Sequence, residues 1–160
     1  MFKNNKQKDV FLLIASLLLS YGVMWSASYF TQSSVGSWYV TLNKPSWTPP
    51  KVVFPIAWSA LYTMIGVAFW LVIRQPKACN KEVLLTFFAQ MLLNFLWSFS
   101  FFYLQSPFLG LVNILLLLVA ICWNAYLFSL YSKWAGRLLV PYLLWVFYAA
   151  TLNFSIWVTN

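Results

Sequence analysis

The chain has 160 residues, 62% of them hydrophobic and only 8% charged, where a soluble domain carries about 25% charged residues. It has no histidine and two acids, Asp9 and Glu82. That excludes histidine-held metal or haem, paired carboxylates for acid–base work and a buried carboxylate relay for a proton-driven pump. The net charge of +8 is gathered beside the hydrophobic stretches, which speaks for membrane topology and against nucleic-acid binding.

Five charge-free stretches, 10–30, 52–73, 83–104, 108–131 and 138–158, are each long enough to cross about 30 Å of hydrocarbon as a helix. The expected fold is an all-α membrane protein: one domain over 1–160, a five-transmembrane-helix bundle with a long lid loop between helices 1 and 2. The first stretch ends in bulky Tyr29 and Phe30 without a small-x-small site, unlike a cleaved signal peptide. Eight of the ten basic residues (Lys3, Lys6, Lys8, Arg74, Lys77, Lys81, Lys133 and Arg137) fall at one end of the helices, and only Lys44 and Lys51 at the other. By the positive-inside rule the N-terminus is then cytoplasmic, in an inner or plasma membrane. Cys79 and Cys122 lie in different segments and read as unpaired.

The first segment carries small residues, Ser16, Ser20, Gly22, Ser26, Ala27 and Ser28, which let a neighbouring helix approach closely. Ala27 and Ser28, near its outer end, are also placed to meet the lid. The connection 31–51 holds Trp38, Tyr39, Trp47, Pro45, Pro49 and Pro50. That composition is poor for disorder, and connections of this length are usually functional. Pro49 and Pro50 fix two φ angles and set the path into the second segment. The loop reads either as a stiff cover over an aromatic cavity or as tryptophans parked at the membrane interface.

In the second segment Trp58, Tyr62 and Gly66 recur every four residues and share a face, while Phe69 and Trp70 sit where interface anchors belong. The third segment repeats the spacing with Gln90, Asn94 and Ser98, beside Trp97, Phe101 and Phe102. Polar side chains at this depth face the bundle interior, as interhelical hydrogen bonds or as one wall of a cavity. Gln105, Ser106 and Pro107 make a tight turn into the fourth segment, whose Leu-rich centre is expected to give it the largest lipid-facing share. In the fifth segment Trp145, Ala149 and Asn153 fall four apart, a large ring, a gap and an amide on one face.

What remains for chemistry is aromatic: ten Trp, nine Tyr and fifteen Phe. Such side chains suit a flat, apolar ligand held by stacking, with a few amides to orient it. No nucleotide loop, ionisable relay or internal repeat supports active transport. Passive carriage of porphyrins, lipids or sterols is the alternative to a receptor.

The runs KPSWTPP (44–50), VFPIAWSALY (53–62), QMLLNFLWS (90–98), PYLLW (141–145) and ATLNFSIW (150–157) resemble the TspO/translocator protein family, the tryptophan-rich sensory proteins or peripheral-type benzodiazepine receptors. The resemblance extends from Gly22 to Asn160. It implies a homodimeric five-helix bundle with a pocket under the first loop, binding porphyrins (protoporphyrin or haem) and related ligands, with no required cofactor and no metal. It further implies that Trp58 and Trp145 match the tryptophans tied to light-dependent protoporphyrin degradation in some bacterial members. Tyr39, Trp47, Tyr62, Asn94, Phe101 and Ala149 match lid and pocket positions, and Trp97 lies among them. One departure concerns sterols: Phe154 and Val158 stand where animal members carry Tyr and Arg, which argues against cholesterol as the natural ligand.

Overall fold

The computed structural model describes residues 5–75 and 80–160. Its elements are α1 (Asn5–Val35), α2 (Trp38–Thr41), α3 (Val53–Ile73), α4 (Lys81–Ser98) with a π-helical turn Phe99–Tyr103, α5 (Pro107–Tyr131), α6 (Lys133–Leu138) and α7 (Val140–Thr159). Among the described residues five spans are long and apolar enough to cross a membrane: α1, α3, α4 with its π turn, α5, and α6 with α7. The expected all-α, five-span architecture is the observed one.

The first connection is more ordered than its sequence suggests. α1 continues through the polar residues 31–35 because their hydroxyls find acceptors. Thr31 donates to the Ala27 carbonyl at 3.3 Å, Ser33 to Phe30 at 2.7 Å, and Ser34 reaches across to the Phe102 carbonyl at 2.6 Å. The lid therefore begins as helix and includes the turn α2.

Helix starts follow their caps. Asn80 Oδ1 accepts from the Val83 N–H at 2.9 Å, and Ser106 Oγ from Leu109 at 3.3 Å with Pro107 in the first turn of α5. The α4–α5 reversal puts Gln105 at φ 51°, a left-handed conformation that L-residues other than Gly and Asn adopt at a cost.

Ser16 and Ser20 on α1 are buried, and Gly66 of α3 is needed opposite them. A Cβ there would lie 3.0 Å from Leu17 Cδ2 and 3.2 Å from Leu17 Cα, so a side chain would force the two helices apart. The Leu-rich fourth segment is not the one most turned to lipid. Only 17% of the most apolar window of α1 is buried, against 39% for α5, which packs against α4, α6 and α7. A leucine run gives no face to read: Leu117 is buried while its neighbours Leu115 and Leu116 are exposed.

Phe69 also departs from expectation. It is a core residue, stacked on Phe87 with centroids 3.8 Å apart, not an interface anchor. Trp70 does sit at the helix end, where its Nε1–H donates to both the backbone and the side chain of Asp9 at 3.1 Å.

Bonds between residues far apart in sequence gather one end of the bundle. Arg74 pairs with Asp9 at 3.1 Å, Gln75 donates to the Tyr131 carbonyl at 3.1 Å, and Asn80 donates to the Tyr131 hydroxyl at 2.7 Å. Lys6, Lys8, Arg74, Lys81, Lys133 and Arg137 belong to this end. Lys3 and Lys77 lie outside the described residues, as does Cys79; the Cys122 thiol is free and exposed. The lid occupies the opposite end.

Candidate functional site

The four-residue repeat on α4 works as interhelical fastening. Gln90 Oε1 accepts from Asn124 Nδ2 at 2.9 Å, joining α4 to α5. One turn nearer the lid, Asn94 accepts from the Tyr62 hydroxyl and donates from Nδ2 to the Tyr142 hydroxyl at 2.6 Å. Asn94, Tyr62 and Tyr142 are all buried, so this one amide ties together α3, α4 and α7.

An aromatic group stands on that amide. The Trp58 ring lies 5.7 Å from Tyr62 and 6.4 Å, edge-on, from Tyr142. Trp145 meets Phe54 edge-on at 6.0 Å and Tyr148 at 5.9 Å. Its indole Nε1–H is buried without a hydrogen-bond acceptor among the described residues. Ala149, one turn further along α7, is half-buried in the same core. An indole N–H usually finds a partner when buried, and leaving a donor unpaired costs about 1–3 kcal/mol.

A second group adjoins the first through α4. Trp97 stacks on Phe101 at 5.6 Å, and Trp38 and Tyr39 of α2 set their edges on Phe101 at 5.5 and 6.1 Å. Tyr39 also touches Phe102 at 5.6 Å. Phe101 and Phe102 belong to the π turn, an irregularity that recurs at functional sites. Trp97 Nε1–H donates to Asn153 Oδ1 at 3.1 Å, and Asn153 Nδ2 donates to the Pro107 carbonyl at 2.7 Å. Gly110 makes this junction possible, because a Cβ there would lie 2.9 Å from both Asn153 Oδ1 and Phe101 Cδ2.

The loop is fastened over these groups along α7. Asn43 exchanges hydrogen bonds with Thr159 and Asn160, its N–H donating to Asn160 Oδ1 at 2.9 Å. The Tyr148 hydroxyl donates to the Trp47 carbonyl at 2.6 Å. Lys44 Nζ donates to the carbonyls of Tyr39 at 2.9 Å and Leu42 at 2.8 Å, closing the end of α2, and stands 5.1 Å over the Tyr39 ring. Burial raises the Tyr39 phenol pKa above its usual 10.0.

Of the residues singled out from the sequence, the structure thus brings together Trp58, Tyr62, Asn94, Trp145 and Ala149 in one core, and Tyr39, Trp97 and Phe101 in the group beside it. The Trp47 ring is 55% exposed and contributes its backbone instead. Ala27 is buried, and the Ser28 hydroxyl donates to the Met24 carbonyl of its own helix at 2.8 Å. Phe54, Tyr142 and Tyr148 were not picked out by sequence. Spacing could have found the first two: Phe54, Trp58 and Tyr62 are four apart, and Tyr142 lies one turn before Trp145. Among the described residues no cluster of His, Cys, Asp and Glu could hold a metal.

The TspO/MBR family profile matches residues 15–158. The chain is 40% identical over 152 residues to the tryptophan-rich protein TspO of Archaeoglobus fulgidus, covering 95% of this chain and 99% of that protein. It is 43% identical over 155 residues to the tryptophan-rich protein TspO of Chlorobaculum tepidum, covering 95% and 96%. It is 32% identical over 126 residues to the human translocator protein, covering 77% and 75%.

Proposed function

The chain belongs to the TspO/MBR family and is an integral, multi-pass membrane protein, and on that premise we propose that it binds porphyrins and related flat, apolar ligands among the aromatic side chains beneath its first loop. The observation that carries this reading is the half-buried Trp145 indole beside Phe54, whose buried N–H is unpaired among the described residues. A ligand bearing a carbonyl or carboxylate supplies the missing acceptor, and its flat body replaces ring–ring contacts with ring–ligand ones. The loop is bound to α7 above the site, so entry requires the Trp47–Tyr148 bond to part. Light-dependent loss of bound protoporphyrin in oxygen, with Trp58 and Trp145 as electron donors, is the chemistry we propose for the same site.

The test is a titration of protoporphyrin into the purified protein in nanodiscs, followed by quenching of tryptophan fluorescence. The reading expects saturation at one porphyrin per chain, with empty nanodiscs showing only linear partition. Quenching that rises linearly with and without protein overturns it.

A further inference from the structure

The basic end of the bundle is not uniform. Arg74 is neutralised by Asp9 and lies 4.5 Å over the Trp70 ring, so its charge is spent within the fold. The single turn α6 is arranged differently. Ser132 caps it by accepting from the Ala135 N–H at 3.3 Å, and Ala135 and Gly136 are buried. A Cβ on Gly136 would lie 2.8 Å from Ser129 Cβ and 3.0 Å from the Ala125 carbonyl oxygen, so this turn is pressed directly onto α5. With those two residues inward, helical geometry puts Lys133, Trp134 and Arg137 together on the outer side. All three are exposed, Trp134 at 67%. The Arg137 guanidinium lies 5.2 Å over the Trp134 ring, and neither Lys133 nor Arg137 has an acidic partner among the described residues.

We propose that this outward face of α6 is a binding site for the headgroup of an anionic phospholipid. The turn directly follows α5 and forms the first residues of the fifth span, and so sits at the bilayer surface. Trp is favoured at that depth, and the Arg137 side chain is held by its ring contact instead of being free. Two unneutralised cations converge on the phosphate level, where each Lys or Arg near an anionic surface strengthens binding about fivefold. A guanidinium can also grip two phosphate oxygens at once. Because the turn is fixed by Gly136 and Ala135, the site is present before the lipid arrives and little ordering cost is incurred on binding. The proposal is independent of the porphyrin reading, since α6 lies at the opposite end from the loop.

Native mass spectrometry of the full chain, offered phosphatidylglycerol or phosphatidylcholine with the same acyl chains, tests it. Wild type should retain one phosphatidylglycerol in preference to phosphatidylcholine. The double variant Lys133→Gln, Arg137→Gln should lower that preference about thirtyfold, whereas Lys8→Gln at the same end should change it less than twofold. Thermal unfolding in phosphatidylcholine nanodiscs confirms that each variant is folded. Equal retention of the two lipids by wild type overturns the proposal, as does a loss in Lys8→Gln as large as in the double variant, which would mark a diffuse positive field. Stabilisation by inorganic phosphate in phosphatidylcholine nanodiscs matching that by phosphatidylglycerol also overturns it, in favour of a free-anion site.

Discussion

Asn94 donates to the Tyr142 hydroxyl at 2.6 Å across the interior of the bundle, and it is buried along with its partner. Its carboxamide oxygen accepts from Tyr62 at the same time. Replacing it with Ala strands two buried tyrosine hydroxyls. Asn94→Ala should therefore destabilise the protein by about 1–3 kcal/mol, read as a lower unfolding midpoint in detergent. Tyr62→Phe removes one partner of the pair and should cost less. If Asn94→Ala unfolds at the wild-type midpoint, the amide does not fasten the three helices.

The bond from Tyr148 to the Trp47 carbonyl is a strap on the loop. Tyr148→Phe deletes it and keeps the ring beside Trp145. A net hydrogen bond of about 1 kcal/mol corresponds to about fivefold, and most of that should fall on ligand release. Pro49→Ala with Pro50→Ala widens the open ensemble of the loop and should act in the same direction. Stopped-flow dissociation of protoporphyrin measures both; unchanged release rates would mean that the loop is not the barrier.

The Tyr39 phenol, raised above its usual value by burial, gives the lid a defined pH response. A group whose folded pKa lies above its unfolded one contributes stability that is complete below the unfolded value and disappears as pH climbs through the folded one. Docking of α2 on Phe101 should thus be intact up to about pH 9 and weaken only above 10. Tryptophan emission from Trp38 and Trp97, followed from pH 8 to 12 in wild type and Tyr39→Phe, reads this. A transition below pH 9 that Tyr39→Phe abolishes would contradict it.

We propose a cytoplasmic N-terminus, because six described basic residues lie at one end of the bundle and Lys44 and Lys51 at the other. Cysteine introduced at Lys6 or Lys133 should be labelled only from the cytoplasmic side, and at Lys51 only from outside. The reverse pattern inverts the protein; Lys6 and Lys133 labelling from opposite sides contradicts the five-span topology.

Charge-free length located the five spans because hydrocarbon tolerates little else, and the four-residue spacing found Trp58, Tyr62, Asn94 and Trp145 because that spacing repeats a helix face. Features that depend on partners were hidden. Nothing local announces that Ser34 will cap the Phe102 carbonyl and carry α1 into the lid, or that Gly66 and Gly110 mark close crossings. The π turn at Phe99–Tyr103 is equally silent, since its sequence is as compatible with an ordinary α-helical turn. In a chain this apolar, hydrophobicity does not separate a lipid-facing Leu116 from a buried Leu117; only packing does.

Tryptophan substitution tests the central claim, that a flat ligand lies between Trp58 and Trp145. Trp58→Leu and Trp145→Leu each remove a stacking ring contributing about 0.5–1.5 kcal/mol, so each should weaken protoporphyrin binding about 2–13-fold. Trp25→Leu, on the exposed face of α1, should leave binding unchanged. Under light, Trp58→Phe and Trp145→Phe should bind nearly normally and lose most porphyrin turnover, because phenylalanine is much harder to oxidise than indole. The decisive measurement is the dissociation constant of protoporphyrin for wild type, Trp58→Leu, Trp145→Leu and Trp25→Leu in one nanodisc preparation. The account predicts weaker binding in the first two variants alone; equal affinities across all four proteins would contradict it.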